Sequence, residues 1–266
     1  MAGIDPLPGR GAPLAGRRLL VTRRPEQSSA LVMRLQALGA TVVETPSIAV
    51  ALPEDTRALD EALASVDAYD WLIFTSTNAV RFVVQRVEAL ALDGDLRQCS
   101  ACLACVGPAT AGVLSEALGG RRVDLVPATD FRAEGLLASF AEIGWPAGQR
   151  CLLPLGDRAR DLLAQGLRDH GAQVDAVVAY RTVMPPGLAE QIAERLAGGI
   201  DLALFASPSA VENFVAAAGA RASALPSAVM GPVTEAAARS AGLDVRAVAS
   251  PSTVDGLIAA VVRCLT

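Results

Sequence analysis

The clearest pattern along the chain is a series of short, unbroken apolar runs. Trp71–Phe74, Leu202–Phe205 and Ala228–Met230 carry no polar alternation. Strands of that kind are buried on both faces, as in a parallel sheet. Between the runs lie stretches with helical apolar spacing. These open with Ser, Thr, Asn or Pro and close near Gly, the ordinary start and stop signals of a helix. The pattern therefore predicts alternating strands and helices.

The alternation occurs twice. Residues 16–43 match residues 148–175, with Gly16 opposite Gly148 and Gly39 opposite Gly171. Further on, 69–84 matches 200–215, 104–119 matches 228–243, and 131–140 matches 252–261. The offset falls from 132 to 121 along the chain, as expected for two copies of one fold with small loop deletions. Four or five strand–helix units per copy imply an α/β protein: two similar flavodoxin-like, doubly wound parallel-sheet domains. Ligands of such sheets bind outside the carboxyl ends of the strands, and a cleft between two such domains is a common location for a small-molecule site. The repeat alone suggests a boundary near Trp145.

Composition narrows the chemistry. At 266 residues with 52% hydrophobic and 19% charged residues, the chain can fill two cores and is not of the disordered class. All 23 basic residues are Arg, which excludes a lysine Schiff base and a P-loop lysine. The net charge of −5 disfavours nucleic acid as the main partner. His170 is the only histidine, so paired-histidine catalysis and histidine-rich metal sites are excluded, and its place at a helix end suits a cap. Cys99, Cys102 and Cys105 are spaced like part of an iron–sulfur run, but no fourth ligand follows, and a buried strand is the simpler reading. The longest charge-free stretch, 98–115, contains Gly, Pro and hydroxyl residues and is a poor membrane span. The first 14 residues lack an apolar signal core and are expected to be a flexible leader on a cytoplasmic protein.

Four strand-to-helix turns carry the candidate chemistry. They are Thr75-Ser76-Thr77-Asn78, Gly107-Pro108-Ala109-Thr110, Ser207-Pro208-Ser209 and Gly231-Pro232-Val233-Thr234. Capping alone accounts for any one of them. Four matched turns, two per copy, would offer free helix N–H groups and hydroxyls to an anion such as a carboxylate or phosphate. Arg17, Arg18, Arg23 and Arg24 crowd the first strand and its turn, as an anion-binding face or as a solvated turn. Tyr180 sits in VVAYRTV, where it is otherwise an ordinary half-buried strand residue. No GxGxxG, P-loop or GxSxG motif is present.

Taken in order, LLVTRRP (19–25), DWLIFTSTNAV (70–80), VGPATA (106–111), VVAYRTV (177–183), LFASPSAV (204–211) and MGPVTEAAA (230–238) resemble the uroporphyrinogen-III synthase family over nearly the whole chain. The resemblance implies a lyase of tetrapyrrole synthesis without cofactor or metal. Its substrate would be hydroxymethylbilane, a linear tetrapyrrole with eight carboxylates, closed to uroporphyrinogen III with loss of water and inversion of ring D. It also implies discontinuous domains: 15–45 with 184–266, and 51–178, joined by linker strands 46–50 and 178–184. Tyr180 occupies the position of the tyrosine proposed to assist departure of the hydroxyl. Thr75, Ser76, Thr110, Ser207 and Thr234 match binding-loop residues, and Thr77, Asn78, Gly107, Ser209 and Gly231 share those turns as candidate substrate contacts.

Two departures from the family pattern stand out. Arg23-Arg24-Pro25 has two arginines where the motif usually has one, and Arg23 is taken as the contact. Leu155-Gly156-Asp157 stands where many bacterial relatives have Arg-Gly-Asn. The expected partner is the substrate alone, with no nucleic acid and no membrane. A monomer is expected, with transient hand-over from the upstream deaminase. The alternatives are a two-domain sensor that grips an anionic metabolite without chemistry, and a nucleotide-utilising enzyme. The absence of a basic winged-helix segment after Thr266 disfavours the first, and the missing phosphate fingerprints disfavour the second.

Overall fold

The computed structural model describes residues 12–91, 96–223 and 225–266. In chain order the elements are β1 (Arg18–Val21), α1 (Pro25–Ala37), β2 (Thr41–Glu44), β3 (Ala49–Ala51), α2 (Arg57–Ala64), β4 (Trp71–Phe74), α3 (Thr77–Leu90), β5 (Cys102–Cys105), α4 (Pro108–Ala117) and α5 (Ala133–Ile143). They continue with β6 (Arg150–Gly156), α6 (Leu162–Asp169), β7 (Gln173–Val183), α7 (Leu188–Ala197), β8 (Leu202–Phe205), α8 (Pro208–Ala218), β9 (Pro226–Val229), α9 (Pro232–Ser240), β10 (Asp244–Val248) and α10 (Val254–Leu265). The chain divides into two compact units. One comprises Met1–Ala49 with Val183–Thr266, the other Val50–Thr182.

The first unit holds a sheet of order β10-β9-β8-β1-β2, its pairs all parallel. Read in chain order this is the 2-1-3-4-5 arrangement of flavodoxin-like folds, with the direction of winding reversing between β1 and β8. The second unit has the order β3-β7-β6-β4-β5. Matched through the repeat, β7, β6, β4 and β5 stand in the same spatial order as β2, β1, β8 and β9. The counterpart of β10 shrinks to one parallel bridge, Ala104 with Leu125. The units thus share one spatial plan and differ in where the chain enters it. A boundary near Trp145 would part β6 from β4, which are paired at Trp71 with Cys151 and Leu72 with Leu152.

The unbroken apolar runs follow from this plan. Leu19 and Val21 point into one core of the first unit and Leu20 into another, on the opposite face. Leu72 and Phe74 likewise oppose Ile73 in the second unit. Successive residues leave opposite faces of a strand, and helices cover both faces, so every position is apolar.

The expected leader, 1–14, falls mostly on residues 1–11, which lie outside the described residues. Its last residue is not leader: Leu14 is fully buried, and its N–H donates to the Leu38 carbonyl at 2.8 Å. Gly39 makes this approach feasible. It adopts φ +92°, and a Cβ there would lie 2.8 Å from the Ala12 Cβ.

Candidate functional site

In a parallel sheet all carboxyl ends lie along one edge, so each unit gathers its strand-to-helix turns there. In the second unit the edge carries 75–78 after β4, 107–110 after β5 and the end of β6 beside β7. Ser76 caps α3, its Oγ accepting the Ala79 N–H at 3.1 Å. Thr75, Thr77 and Asn78 are partly exposed around it. Gly107 opens α4 in extended conformation, and Thr110 in the first turn is buried.

Tyr180 reaches this edge because β7 is irregular. Leu155 pairs with Val178 but Gly156 pairs with Tyr180, so β7 carries one extra residue, Ala179. Such a bulge re-aims the side chain that follows it. Val177, Ala179 and Tyr180 therefore address the same core, where strict alternation would send Tyr180 to the other face. Its ring stacks on Phe82 of α3, with centroids 5.9 Å apart and planes 18° apart. Its hydroxyl stands 3.2 Å from Ser76 Oγ. The space for the ring comes from Gly156, where a Cβ would lie 2.7 Å from Tyr180 Cζ. The segment after β6 is tied down as the Asp157 N–H donates to the Tyr180 carbonyl at 3.0 Å and Asp157 accepts from the Thr182 N–H at 3.0 Å.

The other tyrosine is committed elsewhere. Tyr69 precedes β4 at the amino edge, donates to Asp175 at 2.8 Å and lies under the Arg150 guanidinium at 4.7 Å. Burial, reinforced by the bond to Asp175, pushes its phenol up to about 12. His170 ends α6, with Nδ1 2.8 Å from the Gly166 carbonyl oxygen and its ring stacked on Trp145.

In the first unit the edge carries Thr22-Arg23-Arg24 after β1, Ser207 and Ser209 after β8, and 231–234 after β9. Ser207 caps α8 through the Ala210 N–H at 3.3 Å, as its repeat partner Ser76 caps α3. Thr22 is buried and donates to the Leu204 carbonyl at 2.8 Å, fixing the end of β1 to β8. Arg23 and Arg24 are half-buried, and their guanidinium groups have no hydrogen-bond or ion-pair partner among the described residues, leaving both available at this edge. Gly231, Thr234 and Ser252 help to line a shallow cavity of about 190 Å³ with Met230, Pro232 and Val233.

Ser252 and Phe131 are site-edge residues that the motif reading did not select. A Cβ on Gly231 would lie 2.3 Å from Ser252 Oγ, and one on Gly107 would lie 3.0 Å from Phe131 Cβ. These are repeat-related pairs. In each unit the segment entering the helix of this repeat element, α5 or α10, lies over the glycine that opens the preceding helix, α4 or α9. The alignment of 131–140 with 252–261 already held that signal.

The structure thus brings Thr75, Ser76, Thr77, Asn78, Gly107, Thr110 and Tyr180 to one sheet edge. It brings Arg23, Ser207, Ser209, Gly231 and Thr234 to the other. Helix N–H groups, hydroxyls and unpaired guanidinium groups suit anions, and one phenol adds a neutral donor. The family model described as uroporphyrinogen-III synthase HemD matches residues 29–259.

The chain belongs to the uroporphyrinogen-III synthase family. It is 35% identical over 260 residues to the uroporphyrinogen-III synthase of Synechococcus elongatus, covering 94% of this chain and 96% of that one. A crystal structure of a mutant uroporphyrinogen III synthase from Thermus thermophilus superposes with TM-score 0.55 at 21% identity, covering 94% and 99% of the two chains. That of uroporphyrinogen-III synthetase from Helicobacter pylori gives 0.56 at 13% identity, covering 93% and 99%. At these identities the structural likeness speaks for the α/β fold with its two parallel sheets.

As a uroporphyrinogen-III synthase family member the chain is an enzyme of tetrapyrrole synthesis. Among the described residues no three His, Cys, Asp or Glu side chains gather where they could hold a metal ion, and no helix is long and apolar enough to cross a membrane. Of the three closely spaced cysteines, Cys99 and Cys105 are buried and Cys102 is exposed. Burial pushes the Cys105 thiol up to about 12.

Proposed function

We propose that the chain closes hydroxymethylbilane to uroporphyrinogen III, with loss of water and inversion of ring D. Besides family membership, one observation carries the reading: the Tyr180 hydroxyl stands at a sheet edge, 3.2 Å from Ser76 Oγ and close to the N-terminus of α3. The substrate carries eight carboxylates, and the turns of both units present groups that accommodate negative charge. In this reading Arg23, Thr75, Thr77, Asn78, Gly107, Thr110, Ser207, Ser209, Gly231 and Thr234 hold the substrate, and Ser76 stands among them at the Tyr180 hydroxyl.

Ring closure without inversion occurs in water unaided, so the enzyme's task is to favour attack through the substituted carbon of ring D. That is chiefly positioning. Departure of the terminal hydroxyl creates positive charge on the tetrapyrrole. A phenol O–H is a neutral hydrogen-bond donor, and in this reading Tyr180 donates to the leaving oxygen.

The test is to incubate the protein with fresh hydroxymethylbilane and separate the uroporphyrin isomers. The expected product is type III. A product that remains type I overturns the reading and leaves a binding protein for an anionic metabolite. Replacing Tyr180 by Phe is expected to keep the isomer and the fold and to slow turnover by about 10²-fold or less, the low end of general acid catalysis, because the electron-rich pyrrole already activates the leaving group. Unchanged turnover removes Tyr180 from the reaction.

A further inference from the structure

We propose that Ser76 and Gly156 are positioning residues for Tyr180: Gly156 makes room for its ring and Ser76 aims its hydroxyl. This rests on the reading of Tyr180 as the donor to the leaving oxygen.

Three contacts define the ring. Phe82 stacks along one face with centroids 5.9 Å apart. Gly156 lies against the phenol end, where a methyl would sit 2.7 Å from Cζ and 2.9 Å from both Cε2 and the hydroxyl oxygen. Ordinary carbon contacts are about 3.5–4.0 Å, so no side chain fits at position 156 with the ring as it stands. Gly156 does not adopt the left-handed backbone region, so close approach of the ring is the reason for glycine here. The third contact is the hydroxyl pair, Ser76 Oγ with the phenol at 3.2 Å.

The proton count of that pair has a consequence. Ser76 Oγ already accepts the Ala79 N–H, which fixes its position at the start of α3. Two hydroxyls carry two protons, and their mutual bond uses one. If Ser76 donates to Tyr180, the phenol proton is free to point away from the pair. If Tyr180 donates, the serine proton is free instead, and a half-turn of each hydroxyl restores the first arrangement without moving a heavy atom. Ser76 therefore leaves the phenol able to offer its proton while holding its oxygen in place.

The experiment separates positioning from substrate contact and from folding. Ser76→Gly removes the hydroxyl but keeps a residue that substitutes for a serine cap at small cost. The expected result is a fall in kcat of about 3- to 10-fold, the value of one ordinary hydrogen bond, with KM within twofold and the isomer unchanged. Ser76→Thr is expected to restore kcat. In a Tyr180→Phe background, Ser76→Gly and Gly156→Ala are expected to cost no further kcat, although the Phe ring still meets the added methyl. In protein labelled with [ζ-¹³C]tyrosine, the resonance missing from Tyr180→Phe is expected to move in Ser76→Gly and in Gly156→Ala, while that of Tyr69 stays.

Equal losses from Ser76→Gly with and without the phenol, or a rise in KM alone, overturn the proposal and make Ser76 a substrate contact. An unmoved Tyr180 resonance also overturns it, and that reading needs no activity. Should Gly156→Ala fail to fold, the Ser76→Gly cycle and spectrum still decide. Full activity of Tyr180→Phe would sink the underlying reading instead, a distinguishable outcome because the resonance would still report the contact.

Discussion

Replacing Gly256 by Ala sets two effects of opposite sign against each other. Gly256 lies in the first turn of α10, outside the left-handed region, where helix propensity alone makes alanine better by up to about 1 kcal/mol. A Cβ there would nevertheless lie 2.0 Å from the Pro251 carbonyl oxygen. Ordinary C···O contact begins near 3.3 Å. The segment entering α10 must therefore retreat by roughly 1 Å, judged against that contact distance. Overpacking of that kind costs about 1–3 kcal/mol, and loss of the cap that Thr253 Oγ1 makes to the Gly256 N–H costs about 1 more. The balance, after the propensity gain is subtracted, is a loss of about 1–3 kcal/mol. The repeat supplies a matched control. Gly135 holds the same place in α5, with a Cβ position 1.9 Å from the Asp130 carbonyl oxygen. Urea unfolding, followed by circular dichroism and by fluorescence of Trp71 and Trp145 in the second unit, assigns each loss to its unit. Because the same segment carries Ser252 over Gly231, Gly256→Ala is also expected to raise KM. Stabilisation by about 1 kcal/mol, the propensity result, would refute the close-approach argument.

Ser207→Ala is expected to cost about 1 kcal/mol as a lost cap and, separately, to weaken substrate binding; equal KM in the folded variant would leave Ser207 a cap only. Thr234 is buried and is not itself a cap, so Thr234→Ala tests the turn after β9 directly; unchanged binding makes that turn structural. Arg86 donates to both carboxylate oxygens of Asp60, at 2.6 and 2.7 Å, and this holds the Asp60 carboxyl below the usual range. A folded value below the unfolded one stabilises above the unfolded value, near pH 4, and the gain disappears as pH falls through the folded value. Asp60→Asn should therefore cost about 1 kcal/mol in urea unfolding at neutral pH, with the difference from wild type shrinking below pH 4; a pH-independent difference would show that the charge does not matter.

The sequence by itself determined the strands, the helix starts and the repeat, because each rests on local chemistry. Leu19-Leu20-Val21 must be apolar throughout once both faces are covered, and Ser76 or Ser207 before a helix satisfies an N–H three residues away. Tertiary structure alone decided which strands complete which sheet. β6 resembles β1 in sequence, so the repeat allows either strand beside β4 or β8, and the hydrogen-bond ladders place β6 beside β4 and β1 beside β8. It also decided that Leu14 belongs to a core, since its partner Leu38 lies across α1. The site divides in the same way. Its turns were legible as caps, but the meeting of Ser76 with Tyr180 joins residues 104 positions apart. That meeting depends on the extra residue Ala179 in β7, which breaks the two-residue period by which a sequence assigns side chains to faces. The φ of Gly156 is unexceptional, and what requires glycine there is a ring brought to it by another strand.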